Sequence, residues 1–207
     1  NGGTFSFDGV TRGQPYEKVG TLTANKGSTV TVARSTTGAG SAVFETAGLT
    51  RGTAGTLLIT ASAVINGTGA AATSILGIIN PGSAVSPTSY DRFVVTGGVS
   101  TAGTTLNGSG ITTGGIAPVW IVDSQNNTYV TYNPTNTLST GGDTGFQSLI
   151  AGTTLGTGQV GYGTTISAGS IGALGAGQVV DVTTAAATLA ANATVYAMRS
   201  SQNILPT

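Results

Sequence analysis

The sequence predicts an all-β fold and, among all-β architectures, favours a parallel β-solenoid. Short runs rich in Val, Ile and Thr are separated by turns that contain Gly, which is typical of strands rather than helices. Charged residues make up only 7% of the chain, against roughly 25% in soluble domains. Because stacked coils place like residues about 4.8 Å apart, a chain that stacks on itself avoids ladders of like charge. A β-sandwich and a β-barrel are the alternative architectures for strands this short.

Alternation of apolar and polar residues predicts where the strands lie. In Thr29-Val30-Thr31-Val32 the valines are expected to face the core and the threonines to face outward. One segment, Thr144–Ala151, is compatible with a helix, but the glycines around it disfavour one. The predicted strands are Gly20–Ala24, Ser28–Arg34, Ser41–Thr46, Gly55–Ile65, Arg92–Thr96, Val119–Asp123, Thr128–Tyr132, Gln178–Thr183 and Thr194–Arg199.

The length of 207 residues predicts one β-helical domain over 1–207, or a segment of a longer repeat protein. The chain opens without an initiator Met, which favours an excerpt or a processed product. An internal echo supports a repeat array, because Thr29–Ser35 resembles Thr194–Ser200. A hairpin excursion is expected at about 116–133, with its turn between the predicted strands Val119–Asp123 and Thr128–Tyr132.

The composition excludes several classes of function. The chain has no His and no Cys, and only 7 acidic and 7 basic side chains, so the groups that perform general acid-base, nucleophilic and metal chemistry are scarce. We therefore expect no enzyme, no catalytic residue, no cofactor and no metal site. A net charge of zero removes the electrostatic attraction that drives nucleic-acid binding. No apolar run approaches the roughly 18 residues of a spanning helix, so no transmembrane segment is expected in this chain.

Several segments, in order along the chain, resemble one known family. They are Gly2–Phe7, Glu17–Leu22, Ser28–Val32, Gly48–Arg51, Gly114–Trp120, Tyr129–Asn133 and Ala185–Arg199. Together they are similar to the autotransporter-associated β-strand repeat proteins, which are large, autotransporter passenger-like proteins of bacterial surfaces. The resemblance implies a right-handed parallel β-helix, export to the cell surface or beyond, and a structural or adhesive role. The chain departs from the family pattern at Leu76–Tyr90, an insertion that contains two prolines.

Three aromatic residues of the hairpin are candidate surface contacts: Trp120, Tyr129 and Tyr132. An exposed ring could stack on a sugar or on a neighbouring molecule, whereas packing onto the body of the protein is the favoured alternative because aromatic rings gain most from burial. The turn Asp123–Asn127 offers oxygen ligands at alternate positions. It lacks the Gly and the terminal Glu of a calcium loop, so a simple hairpin turn is expected there.

The predicted function is structural: a component of a bacterial extracellular or cell-surface fibre, or of an autotransporter-like passenger shaft. The expected partners are copies of the same chain, joined end to end or continuous in one repeat array, since open sheet ends expose unpaired strand groups. Cell-surface carbohydrate is the other candidate partner, and a carbohydrate-binding adhesin is the first alternative function. The second alternative, a β-helical polysaccharide-degrading enzyme, would need Lys18, Lys26 or Arg34 in a cleft beside two or more carboxylates.

Overall fold

The computed structural model confirms the all-β prediction, since every regular element among the residues it describes is a strand. It describes residues 2–8, 16–33, 42–61, 92–97, 99–101, 104–106, 116–124, 127–133, 145–150, 160–162, 164–166, 170–171, 178–183, 187–189, 194–201 and 204–206. Within these ranges, no helix has the length and hydropathy that crossing a bilayer requires. The insertion Leu76–Tyr90 and the candidate base Arg34 lie outside the described residues.

The strands number eighteen in the described ranges. They are β1 (Thr4–Asp8), β2 (Tyr16–Ala24), β3 (Gly27–Ala33), β4 (Val43–Arg51), β5 (Thr56–Ala61), β6 (Arg92–Val95), β7 (Val99–Thr101), β8 (Thr104–Leu106), β9 (Ile121–Asp123), β10 (Thr128–Asn133), β11 (Gly145–Ile150), β12 (Val160–Gly161), β13 (Thr164–Ile166), β14 (Ser170–Ile171), β15 (Val179–Val182), β16 (Ala187–Leu189), β17 (Ala197–Ser200) and β18 (Ile204–Pro206).

Successive strands alternate between two sheets in the first half of the chain. Strands β1, β3, β5 and β9 pair in parallel in one sheet, while β2 pairs in parallel with β4, and β4 with β6 and β7, in the other. The registers place Thr4 opposite Thr29 and Tyr16 opposite Val43, so equivalent positions recur 25 and 27 residues apart. Parallel neighbours need a crossover between them, and here the strand of the other sheet lies in that crossover.

The same alternation continues near the end of the chain with a shorter step. Strands β13, β15 and β17 form one parallel sheet and β14, β16 and β18 form another. Val179 lies opposite Ala197 and Ser170 lies opposite Thr188, a step of 18 residues in both sheets. The described strands form no closed or curled sheet, so the finer arrangement as a right-handed β-helix stays a prediction.

Each of the nine predicted strand segments contains a strand in its described part. The alternation in β3 is confirmed, because Val30 and Val32 are buried while Thr29 and Thr31 are only half-buried. The helix-compatible segment Thr144–Ala151 contains β11, a buried strand. This strand begins at Gly145, whose φ of 118° is in a region that L side chains rarely adopt, and a Cβ there would lie 2.5 Å from the Phe93 carbonyl oxygen.

The hairpin forms as predicted, but the prediction that it protrudes is wrong. Strands β9 and β10 are antiparallel, with Asp123 opposite Thr128, and Asn127 adopts a φ of 49° in the turn between them. Strand β9 also pairs in parallel with β5, and β10 pairs with β11, so the hairpin lies within the sheet. The physical reason is that Ile121 and Val130 are fully buried apolar residues, which a free-standing hairpin would expose to water.

All five phenylalanines of the chain form one ladder of rings along the core. The centroid of Phe44 lies 4.6 Å from that of Phe5 and 5.3 Å from that of Phe93. Phe146 follows Phe93 at 5.2 Å, and the edge of Tyr132 meets Phe146 at 5.0 Å. These separations are within the range of favourable aromatic pairs, so the ladder joins β1 to β11 through strands of both sheets.

Candidate functional site

Trp120 lies in the core at the start of the hairpin. Its side chain is only 4% exposed, and the Arg51 guanidinium carbon lies 6.0 Å from the ring centroid. Its carbonyl oxygen accepts a hydrogen bond from the amide of Leu57 at 2.8 Å. Trp120 therefore joins β5 to the hairpin by packing, and its ring presents no open face to a partner.

Tyr132 is also buried, at 7% exposed, and its hydroxyl is fully used inside the protein. The hydroxyl donates a hydrogen bond to the Val95 carbonyl oxygen at 2.8 Å and accepts one from the Val95 amide at 3.0 Å. This pair of bonds attaches β10 to β6. For Trp120 and Tyr132, packing onto the body of the protein is confirmed.

Ionisation of Tyr132 should weaken the fold at high pH. Burial raises the pKa of the Tyr132 hydroxyl above its ordinary value of 10.0, because the phenolate would lose hydration. Since the folded pKa exceeds the unfolded one, the stability is fully present below pH of about 10 and is lost as the pH rises through the folded pKa. We expect the free energy of unfolding, measured by urea titration, to fall in this range. Tyr132→Phe should reduce the fall while costing about 1–2 kcal/mol at neutral pH, and an unchanged alkaline slope would contradict this assignment.

Tyr129 is half-buried and faces the C-terminal sheets. Its hydroxyl donates a hydrogen bond to the Met198 carbonyl oxygen at 3.2 Å, across 69 residues of sequence. The ring lines a cleft of about 450 Å³ between the hairpin and β17, together with Leu58, Asn127 and Arg199. Of the three candidate aromatics, Tyr129 alone reaches an open cleft.

The polar groups of this cleft are bonded to the protein itself. Arg199 donates to the carbonyl oxygen of Asn127 at 3.0 Å through Nε, and to Asp181 Oδ1 at 2.7 Å through Nη1. The Asp181 side chain is fully buried, and Arg199 is its register partner on the neighbouring strand. The cleft therefore acts as a junction that fastens the hairpin to β17.

The backbone at β17 shows that Tyr129 covers part of a sheet edge. In β17 the amides of Ala197 and, just beyond the strand, Ser201 bond to carbonyls of the β15 side. Backbone groups alternate in direction along a strand, so the carbonyl of Met198 points to the other side of β17. Tyr129 donates to that carbonyl. Sequence analysis missed this cap, because no local pattern relates residues 129 and 198.

The oxygen-rich turn is structural in its described part. The Asp123 carboxylate is buried and accepts a hydrogen bond from Ser148 Oγ at 2.5 Å. Ser124 Oγ lies 2.6 Å from Thr60 Oγ1. Residues 125 and 126 lie outside the described part, and within that part no three His, Cys, Asp or Glu residues come together as a metal site would require.

A second charged group lies on the exposed face of β2 and β4. Lys18 Nζ lies 2.6 Å from Glu45 Oε1, and the Tyr16 hydroxyl donates to Glu45 Oε2 at 2.7 Å. Partial burial opposes ionisation of Glu45, but hydrogen bonds from Lys18 and Tyr16 outweigh it and hold the pKa of this carboxyl below its ordinary value. Lys18 thus forms an ion pair with a single carboxylate, whereas the enzyme alternative requires two. Lys26 lies in a tight turn with a φ of 52°.

No family model, curated protein or solved structure matches this chain. The resemblance to the autotransporter-associated β-strand repeat family therefore stays a prediction.

Proposed function

We propose that this chain is a structural segment of a bacterial extracellular or cell-surface fibre, or of an autotransporter-like passenger shaft. In this proposal the alternating parallel strands are the coils of a right-handed β-helix, stabilised by backbone ladders and a narrow apolar core. The proposed role is mechanical extension and display rather than catalysis. The partners are further copies of the chain, joined end to end.

The placement of charge carries this proposal. Both ion pairs among the described residues join register partners on neighbouring parallel strands: Lys18 lies opposite Glu45, and Asp181 lies opposite Arg199. In the registers that the structure gives, no charge lies opposite a like charge. An architecture of ladders requires this, because like charges on adjacent strands repel. The scarcity of charge in the sequence and its pairing in the sheets thus support the same role.

The aromatic ladder supports the proposal in a second way. Rings about 5 Å apart on successive strands repeat the spacing of the backbone ladder, so the core can continue from one coil to the next. An adhesive contact with carbohydrate is compatible with a shaft. The cleft at Tyr129 does not favour it, because the Tyr129 hydroxyl and the Arg199 guanidinium are bonded within the protein.

The shape of the purified particle tests the proposal. Electron micrographs should show narrow rods that join at their ends as the protein concentration rises. A compact particle that stays monomeric would contradict the proposed role.

A further inference from the structure

The free edge of β1 carries unused backbone hydrogen-bonding groups. The amide of Thr29 donates to the Gly3 carbonyl at 2.8 Å, which fixes the phase of the β1–β3 ladder. Since backbone groups alternate along a strand, the groups of Thr4, Ser6 and Asp8 point to the opposite side. Strand β1 lies at the end of its sheet, and no other described strand pairs with that side. Such an edge is a template for another strand.

The core is also open at this edge. Phe5 is 37% exposed, although its ring stacks on Phe44 at 4.6 Å, and it is the last ring of the ladder on this side. Phe7 lies two residues further along the same face of β1 and packs against the same core. A partner strand at this edge would therefore meet two aromatic side chains next to a row of free backbone groups.

We propose that the edge of β1 pairs in the antiparallel sense with β1 of a second copy, about a two-fold axis at Ser6. This inference rests on the proposed function and specifies which end of the segment joins another copy. The interface is isologous, because the same five-residue strand is supplied by both chains. Ser6 of each copy then exchanges both of its backbone hydrogen bonds with Ser6 of the other.

The sequence of β1 is complementary to itself in this register. Pairing about Ser6 places Phe5 of each copy opposite Phe7 of the other, so the aromatic ladder continues across the axis. It places Asp8 opposite Thr4, a carboxylate beside a hydroxyl. A register centred on Asp8 would instead place the two carboxylates opposite each other, at a cost in repulsion. The charge on β1 therefore selects the register centred on Ser6.

The other end of the segment is less suited to receive β1. The outward carbonyl of Met198 in β17 is already bonded to Tyr129, and Arg199 is bonded to Asn127 of the hairpin turn. A strand that added to β17 would have to displace the Tyr129 hydroxyl. The difference between an open edge and a covered edge favours pairing of two β1 strands over head-to-tail pairing.

A single introduced cysteine tests the two-fold axis directly, because the chain has no cysteine of its own. In the proposed pairing the two Ser6 Cα atoms lie about 5.5 Å apart, within the range that a disulfide spans. Under mild oxidation Ser6→Cys should form a disulfide-linked dimer in high yield. The matched control is Thr53→Cys in an exposed turn, which should give at least tenfold less. Equal yields from the two variants would overturn the inference.

A second pair of variants tests the backbone contact without a cross-link. Ser6→Pro removes an amide that faces outward, so the β1–β3 ladder is kept and an edge strand tolerates the change. Sedimentation velocity should show at least a tenfold weaker self-association for Ser6→Pro than for Ser6→Ala, with matching circular dichroism spectra. Association that survives in Ser6→Pro would overturn the inference but leave the proposed function standing. A wild-type chain that stays monomeric at every concentration would overturn both.

Discussion

Replacing Phe44 by alanine should lower the free energy of unfolding by about 3–5 kcal/mol. Phe44 is fully buried and lies in the middle of the aromatic ladder, between Phe5 at 4.6 Å and Phe93 at 5.3 Å. Its removal costs the transfer free energy of the ring and leaves a cavity that rigid strands on both sides cannot fill. Urea unfolding followed by circular dichroism measures the loss.

Phe5→Ala is the matched control for this prediction. Phe5 belongs to the same ladder but is 37% exposed, so its removal opens a surface notch rather than a closed cavity. We expect a loss of about 1–2 kcal/mol from the buried part of the ring. Equal losses for the two variants would show that the ladder is not a continuous core.

Replacing Arg199 by methionine should lower the free energy of unfolding by about 3–5 kcal/mol. Asp181 is fully buried, and Arg199 Nη1 lies 2.7 Å from its carboxylate. Methionine keeps much of the apolar stem but leaves the buried carboxylate without its cation. The same substitution removes the hydrogen bond to Asn127, so the hairpin should separate from β17. Hydrogen exchange in the hairpin, measured beside urea unfolding, should report that separation.

Lys18→Met is the matched control, because it also breaks an ion pair between register partners. The Lys18 side chain is 55% exposed, so water and salt already screen the attraction to Glu45. We expect no measurable change in the urea midpoint. If Arg199→Met were as neutral as Lys18→Met, the buried pair would not be part of what holds the two sheets in register.

The strands could be predicted from the sequence because they depend on local composition. Alternation in Thr29–Val32 gives the buried face directly, and glycine-containing turns mark where runs end. Strand β1 was not among the predicted segments, since its single short run Thr4–Asp8 has mostly exposed side chains. Strand β11 could be confused with a helix, because its apolar residues are buried on both faces and do not alternate.

The candidate site could be predicted only in part, because its contacts depend on register. Tyr129, Tyr132 and Trp120 were identified as one cluster from their spacing, but burial of two of them follows from the parallel pairing of β9 with β5. The pairing of Asp181 with Arg199 follows from a step of 18 residues between strands. A step of that kind is set by the lengths of the connecting segments, and no local pattern in the sequence specifies it.

The central claim is that the chain is a shaft made of stacked strands, which joins other copies at its ends. Electron microscopy of the purified protein over a range of concentrations tests it most directly. The account predicts thin unbranched rods, one protomer long at low concentration and longer by end-to-end contact at high concentration. A compact globule with a deep cleft, monomeric at every concentration, would contradict it.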